Sequence, residues 1–227
     1  MTTSQDRVSL ARTRFGAFAL AVSGVLFVLY VAVRPWHDES TLDGAIRSMS
    51  SGAWVASHLF AMVAFILVPL GLLALRDAVS RTRGERLAHA AVVTSWIGAG
   101  LTLPYYGAED FGLHALGSAA RTQPLDLLTL ADAVRFNPAA ATIFVVGLLA
   151  LGVGATLAAV AVWRSGVLPR FSGILFAVSF LLLIPQFYTP PAVRIGHGVL
   201  VCLAAVWLAL AMWRVKATEL GPRQGAA

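Results

Sequence analysis

Charge is scarce in this sequence: 12% of its 227 residues are Asp, Glu, Lys or Arg, against 58% apolar residues and a mean hydropathy of +0.78. So little polar material cannot cover the surface of a soluble globule of this length, and a soluble protein is excluded on composition. Cysteine is scarcer still. Cys202 stands alone, which rules out an intramolecular disulfide and says nothing of the redox compartment. Also missing are HExxH and CxxCH motifs, a Walker sequence, a Gly-rich phosphate loop and any recognisable pairing of a nucleophilic Ser with His. GVGATLA, at 152–158, lies inside an apolar run and reads as a packing stretch, with no nucleotide-binding context.

What the sequence has in abundance is long apolar runs. Six of them, at approximately 15–33, 53–75, 87–107, 138–163, 171–188 and 192–213, have the roughly 20 residues that cross a hydrocarbon core of about 30 Å. Backbone polar groups in lipid must be satisfied within each segment, so the runs are read as helices packed in one bundle. The expected fold is all-α: a single polytopic domain of six transmembrane helices that fills the chain, with the lipid bilayer as its solvent. The first run, Phe15 to Val33, exceeds the 7–15 residues of a signal-peptide core and is taken as a retained span.

The arginines give a direction. With the N-terminus inside, Arg7, Arg12, Arg14, Arg76, Arg81, Arg83, Arg86, Arg164, Arg170, Arg214, Lys216 and Arg223 lie on the cytoplasmic side, 12 of the 17 basic residues. Seven of the 11 acidic residues fall on the other side. The positive-inside rule then puts both termini in the cytoplasm of a cell (plasma) membrane protein. The pI of about 10.4 reports this topology and gives no reason to invoke nucleic acid.

Local signals fit the helices. Asn137 before Pro138, and Thr189 before Pro190, read as N-caps with first-turn prolines. Trp36, Trp54, Tyr105, Tyr106 and Tyr188 fall near the outer boundary, and Trp163 and Trp213 near the inner one. Ala150, Gly154 and Ala158 form a small-residue stripe for close helix packing. In the outer loop between the third and fourth spans, Leu127, Leu130 and Val134 recur at helical spacing. About 11 residues cannot span, so a short interfacial helix is expected there, with a lid over a cavity as the sharper reading. The last residues, TELGPRQGAA, read as a frayed tail.

Ionisable groups at membrane depth are costly, so each marks a candidate site. His58 and His197 lie at similar depth on the second and sixth spans, where they could face each other. Glu109 and Asp110 emerge at that level from the third span. If this helix continues past Gly107, Asp110 and His114 share a face at i, i+4. Gln186 ends the fifth span beside Pro185, and Arg194 opens the sixth. His58, Glu109, Asp110, His114, Gln186, Arg194 and His197 therefore form a candidate outward polar pocket, above inner halves that are almost wholly apolar. Grouped opposite charges suit a small polar or amphiphilic ligand. The same donors could serve a metal-assisted hydrolase with Glu109 or Asp110 as base, although no compact metal-ligand spacing is present. His58 and His197 have the depth for a b-type haem, and hydrogen bonds between the helices of a structural subunit account for the histidines equally well. No cofactor is assigned. His37 is read as a solvated loop residue and His89 as snorkelling.

The stretches YYGAEDFGLHALG, LADAVRFNPAAATIF, VWRSGVLPRFSG and LIPQFYTPPAVRIGHGVL resemble a group of small multi-pass membrane proteins from actinobacteria that carry no assigned activity. The resemblance runs along most of the chain and implies a six-helix single unit. It lends no catalytic residue. Six-helix b561-type cytochromes are similar in helix count only, because the inner leaflet here offers no histidine but His89.

Overall fold

The computed structural model describes residues 4–215. The tail at 218–227 lies outside them, as do Lys216 and Arg223. Every regular element among the described residues is helical: α1 (Ser4–Val33), α2 (Leu42–Met49), α3 (Gly52–Ala78), α4 (Glu85–Gly107), α5 (Leu113–Ala119), α6 (Leu127–Arg135), α7 (Pro138–Ser165), α8 (Arg170–Leu181) and α9 (Pro191–Trp213). A π-helical turn, Ala108–Gly112, joins α4 to α5, and a 3-10 turn, Pro185–Tyr188, comes after α8.

Five segments are long and apolar enough to cross a membrane: Leu10–Val33, Gly52–Ala78, Glu85–Ala119, Pro138–Ser165 and Pro191–Trp213. The run expected as a fifth span at 171–188 is not one helix. It stops at Leu181 after 12 residues, about 18 Å of rise, because Pro185 has no N–H to continue the ladder and its ring excludes the preceding turn. The helices pack in order round a closed ring, α1 on α3, α3 on α4, α4 on α7, α7 on α8, α8 on α9, and α9 back on α1. Outward-facing side chains such as Phe18, Ile66, Ile97, Leu149, Val178 and Leu203 are exposed and apolar, the reverse of a soluble surface and the pattern expected of helices bathed in lipid.

Small residues set the seams. A Cβ added to Gly98 on α4 would lie 2.8 Å from the carbonyl oxygen of Gly147 and 2.8 Å from the nitrogen of Leu151 on α7, so the two backbones touch only because neither glycine has a side chain. The α7 seam runs through Gly147, Gly154 and Ala158, all buried. Ala150, expected in that stripe, is only half-buried. Along the ring axis Phe27, Phe65, Phe176 and Phe180 are buried in edge and tilted contacts 4.6–6.0 Å between centroids. This aromatic plug closes the middle of the bundle.

Above the plug, α2, α5 and α6 form a cap with a core of its own: Ala45, Met49, Trp54, Leu113, Leu127 and Ala131. The polar stretch 34–52 thus contains a helix, α2, capped by Thr41, whose Oγ1 accepts from the N–H of Gly44 at 3.2 Å. The segment between α5 and α7 contains a short helix, α6, with Leu127 and Ala131 buried against the cap and Leu130 turned outward, 38% exposed. Asn137 caps α7 as read from the sequence, its Oδ1 accepting from Ala139 and Ala140 N–H. Thr189 does not cap α9. Its hydroxyl donates to the Gln186 carbonyl, and the helix begins at Pro191.

Candidate functional site

The cap end of the ring holds a cavity of about 470 Å³, within the range of small-molecule sites. One wall is charged and is built from five side chains on four segments: the α1–α2 connection, α3, the π-helical turn and α6. Arg34, just past the end of α1, donates from Nη2 to Glu39 Oε1 at 2.9 Å. Arg135, the last residue of α6, donates from Nη2 to Glu39 Oε2 at 2.7 Å and from Nε to Glu109 Oε1 at 2.6 Å. Glu109, in the π-helical turn, places Oε2 3.4 Å from His58 Nε2. That nitrogen lies 3.2 Å from Arg34 Nη1, which closes the ring.

Each member is held from behind. His58 Nδ1 lies 2.8 Å from the Trp54 carbonyl one turn earlier on α3. A carbonyl only accepts, so Nδ1 carries the hydrogen, and in the neutral tautomer Nε2 is free to accept from Arg34. Trp54 is wholly buried and lies beneath both guanidinium groups, 4.6 Å from Arg34 and 5.9 Å from Arg135 to its ring, where the ring face attracts the cations. Its indole N–H donates to the Glu109 carbonyl at 3.0 Å. In the π-helical turn the Leu113 N–H reaches back five residues to Ala108. Such an insertion rotates the downstream residues relative to an α-helical register. Burial disfavours the charge on Arg135, yet Glu109 and Glu39 more than compensate and raise its pKa. Arg34 shows the same balance, with burial opposed by Tyr30, Glu39 and Glu109, and its pKa is also raised. Both guanidinium groups are permanently charged.

The rest of the cavity is aromatic and aliphatic. Tyr30, Tyr105, Tyr106, Phe144, Leu148, Ile184 and Phe187 line it, and Phe136, Val145 and Tyr188 stand at its exposed rim. Tyr105 stacks on Phe144 at 4.1 Å, and its hydroxyl donates to the Arg135 carbonyl. The exposed residues of the lining belong to the end of α6, the first two turns of α7 and the 3-10 turn after α8. Val145 is seven residues into α7, roughly 10 Å below its start.

Of the residues singled out from sequence, His58, Glu109 and Arg194 line the cavity. Gln186 stands behind them, its Oε1 accepting from Arg194 Nε at 3.1 Å. The others lie elsewhere. His197 does not face His58: its Nε2 is 2.8 Å from the Ser179 carbonyl on α8. The α4 helix does continue past Gly107, and His114 stands near enough to Asp110 to act on its carboxylate electrostatically. The His114 Nδ1 meets the Met49 carbonyl at 2.8 Å and ties α5 to α2. Asp110 is wholly buried in the turn, and its carboxylate oxygens have no hydrogen-bond partner among the described residues. The expected interface belt is also partly displaced inward, since Trp54 and Tyr106 are buried.

Tyr30, Arg34, Glu39, Tyr105, Tyr106 and Arg135 were not legible as site residues. A signal for the arginines did exist. On the orientation expected from the sequence, Arg34, Arg135 and Arg194 are three of the five basic residues that fall against the positive-inside bias, and a cation on the unfavoured side needs a local reason. Among the described residues no three His, Cys, Asp or Glu side chains stand together as a metal site. His58 and His197, each turned to a carbonyl of a different helix, are not placed as a haem-ligand pair.

No protein-family model, no curated protein and no solved structure matches this chain. The reading of the site rests on its own geometry, which combines an ion-paired charged lining with an aromatic and aliphatic one. Within the charged lining Glu39 and Glu109 are both engaged by arginines.

Proposed function

We propose that the protein is a six-span membrane protein that binds a small amphiphilic molecule in the cap-end cavity and holds it or assists its transport. Five apolar helices support the membrane reading. The sixth crossing is assigned to α8 together with the turn after it, 170–188, which returns the chain to the cap end. The arginine distribution supports cytoplasmic termini and an outward-facing cap in the cell membrane. On this reading α6 rests at the outer interface through Leu130 and Phe136, 38% and 72% exposed, while Arg135 holds it over the cavity as a lid.

One observation carries the proposal: the cavity joins an ion-paired polar lining to an apolar one whose members Val145 and Tyr188 are exposed on the outside of the bundle. A purely aqueous solute has no use for the apolar wall, and a purely apolar one leaves the charged wall without a role. Sites of mixed character recognise ligands by burying the apolar part and fixing the polar part with a few placed groups.

The test is native mass spectrometry of protein incubated with a lipid extract, on the parent chain and on Ala141→Trp. Ala141 lines the cavity near its rim and is half-buried, so the indole fills the ligand volume with little disturbance of the seams. The parent is expected to retain an adduct of small-lipid mass that Ala141→Trp, with unchanged melting temperature, does not. Absence of any adduct, or equal retention by both, refutes the proposal.

A further inference from the structure

We infer that the ligand is a single-chain amphiphile with an anionic headgroup, recognised by Arg194; this rests on the amphiphile-binding reading above. Three arginines face the cavity, Arg34, Arg135 and Arg194, against two carboxylates, Glu39 and Glu109. Arg34 and Arg135 are each ion-paired with those carboxylates, at 2.6–2.9 Å, so their charges are matched even though Arg34 Nε has no partner among the described residues. Arg194 has no carboxylate partner among the described residues. The wall therefore carries an excess of one positive charge, and a protonated His58 would only add to it.

The geometry of Arg194 is that of a prepared anion receptor. Its Nε is fixed by Gln186, and its guanidinium is packed over the Trp36 ring at 4.9 Å and the Phe187 ring at 5.1 Å. This support holds the planar fork in place and leaves the Nη groups for a ligand oxygen, the bidentate arrangement in which Arg recognises carboxylate and phosphate. Phe187 also lines the cavity beside Ile184, Phe144 and Leu148, so the apolar wall for a chain begins where the anion site ends. A single chain suits the apolar lining that runs from Phe187 to the exposed Val145 and Tyr188. A cationic headgroup would meet the unpaired Arg194 and two carboxylates already satisfied. A neutral one would leave the excess charge uncompensated.

Carboxylate and phosphate monoanions share this chemistry, and the experiment separates them. Dodecanoate, dodecyl phosphate, dodecanol and dodecyltrimethylammonium are titrated by calorimetry against the protein in phosphatidylcholine nanodiscs, with empty nanodiscs subtracted. At least one anionic ligand is expected to bind at least about tenfold more tightly than dodecanol. Arg194→Gln should remove that preference and Arg194→Lys should keep part of it, which a merely structural role for Arg194 would not do. Tighter dodecanoate binding points to a free fatty acid, tighter dodecyl phosphate to a lysophospholipid-like headgroup, and both outcomes support the inference. Dodecanol or dodecyltrimethylammonium binding as tightly as both anions, or an anion preference unchanged in Arg194→Gln, overturns it while leaving an amphiphile pocket. If none of the four ligands binds the parent better than Ala141→Trp, the pocket reading falls as well.

Discussion

Glu109 and Asp110 are adjacent carboxylates with opposite environments, and the difference is decided by one turn of backbone. Glu109 accepts from Arg135 and stands against His58 in the closed ring, whereas Asp110 is buried with no partner for either oxygen among the described residues. Removing one member of a buried charge pair leaves the other uncompensated and costs about 3 kcal/mol or more. Part-exposure of Arg135, 19%, lowers that figure here to roughly 2 kcal/mol. Glu109→Gln is therefore expected to lower stability in detergent by this amount. The double mutant with His58→Ala should be non-additive by more than about 0.5 kcal/mol, as for groups in contact. Asp110→Asn is expected to be neutral or stabilising, because it removes a buried ionisable group that nothing satisfies. Thermal denaturation of the four variants checks both statements, and additivity at Glu109 and His58 would dissolve the ring into independent contacts. The sequence made Glu109 and His58 visible because charge inside an apolar run is conspicuous. It left Arg34, Glu39 and Arg135 hidden because loop charges look solvated until the chain folds them inward.

At the scale of elements, helical periodicity located the long helices and α6, but could not show what α6 faces. Its buried positions proved to be Leu127 and Ala131, with Leu130 outside, because α6 packs on α2 and α5. The break of α8 was half legible. Pro185 announced that the helix must stop or bend, and α8 ends at Leu181, the residue whose carbonyl an N–H at position 185 would have met; what the sequence did not show is that the segment fails to resume as an α-helix. Helix seams yield the clearest prediction at this scale. Gly98→Ala drives a methyl into the backbone of Gly147 and Leu151, 2.8 Å away, which only separation of α4 from α7 can relieve. A loss of about 1–3 kcal/mol is expected, the usual cost of overpacking. Gly100→Ala, further along the same helix, meets nothing within 4 Å. It should be neutral or gain up to about 1 kcal/mol from helix propensity. Equal effects of the two substitutions on detergent melting would show that α4 and α7 are not in contact along this face.

For the molecule as a whole, composition and the arginine pattern specify more than any single residue does. The ring of helices is sealed along its axis by Phe27, Phe65, Phe176 and Phe180, while the cap end gathers charges into one network. Such a molecule has a site on one side of an apolar plug, so the functional meaning of the cavity depends on which side the cap faces. The arginine pattern predicts outward. In a Cys202→Ser background, Ser40→Cys and Thr122→Cys, both exposed beside the cap, are expected to react with an impermeant thiol reagent in intact cells. Ser80→Cys, between α3 and α4 at the opposite end, should react only with a permeant reagent. Impermeant labelling at Ser80 alone would invert the orientation and turn the cavity toward the cytoplasm. Labelling at Ser40 but not Thr122 would break the proposed topology between them, because a single cap cannot lie on both sides of the membrane. The expected pattern would put the cap-end cavity, with Arg194 in its lining, on the outer side of the membrane, the side from which the proposed ligand would have to reach it.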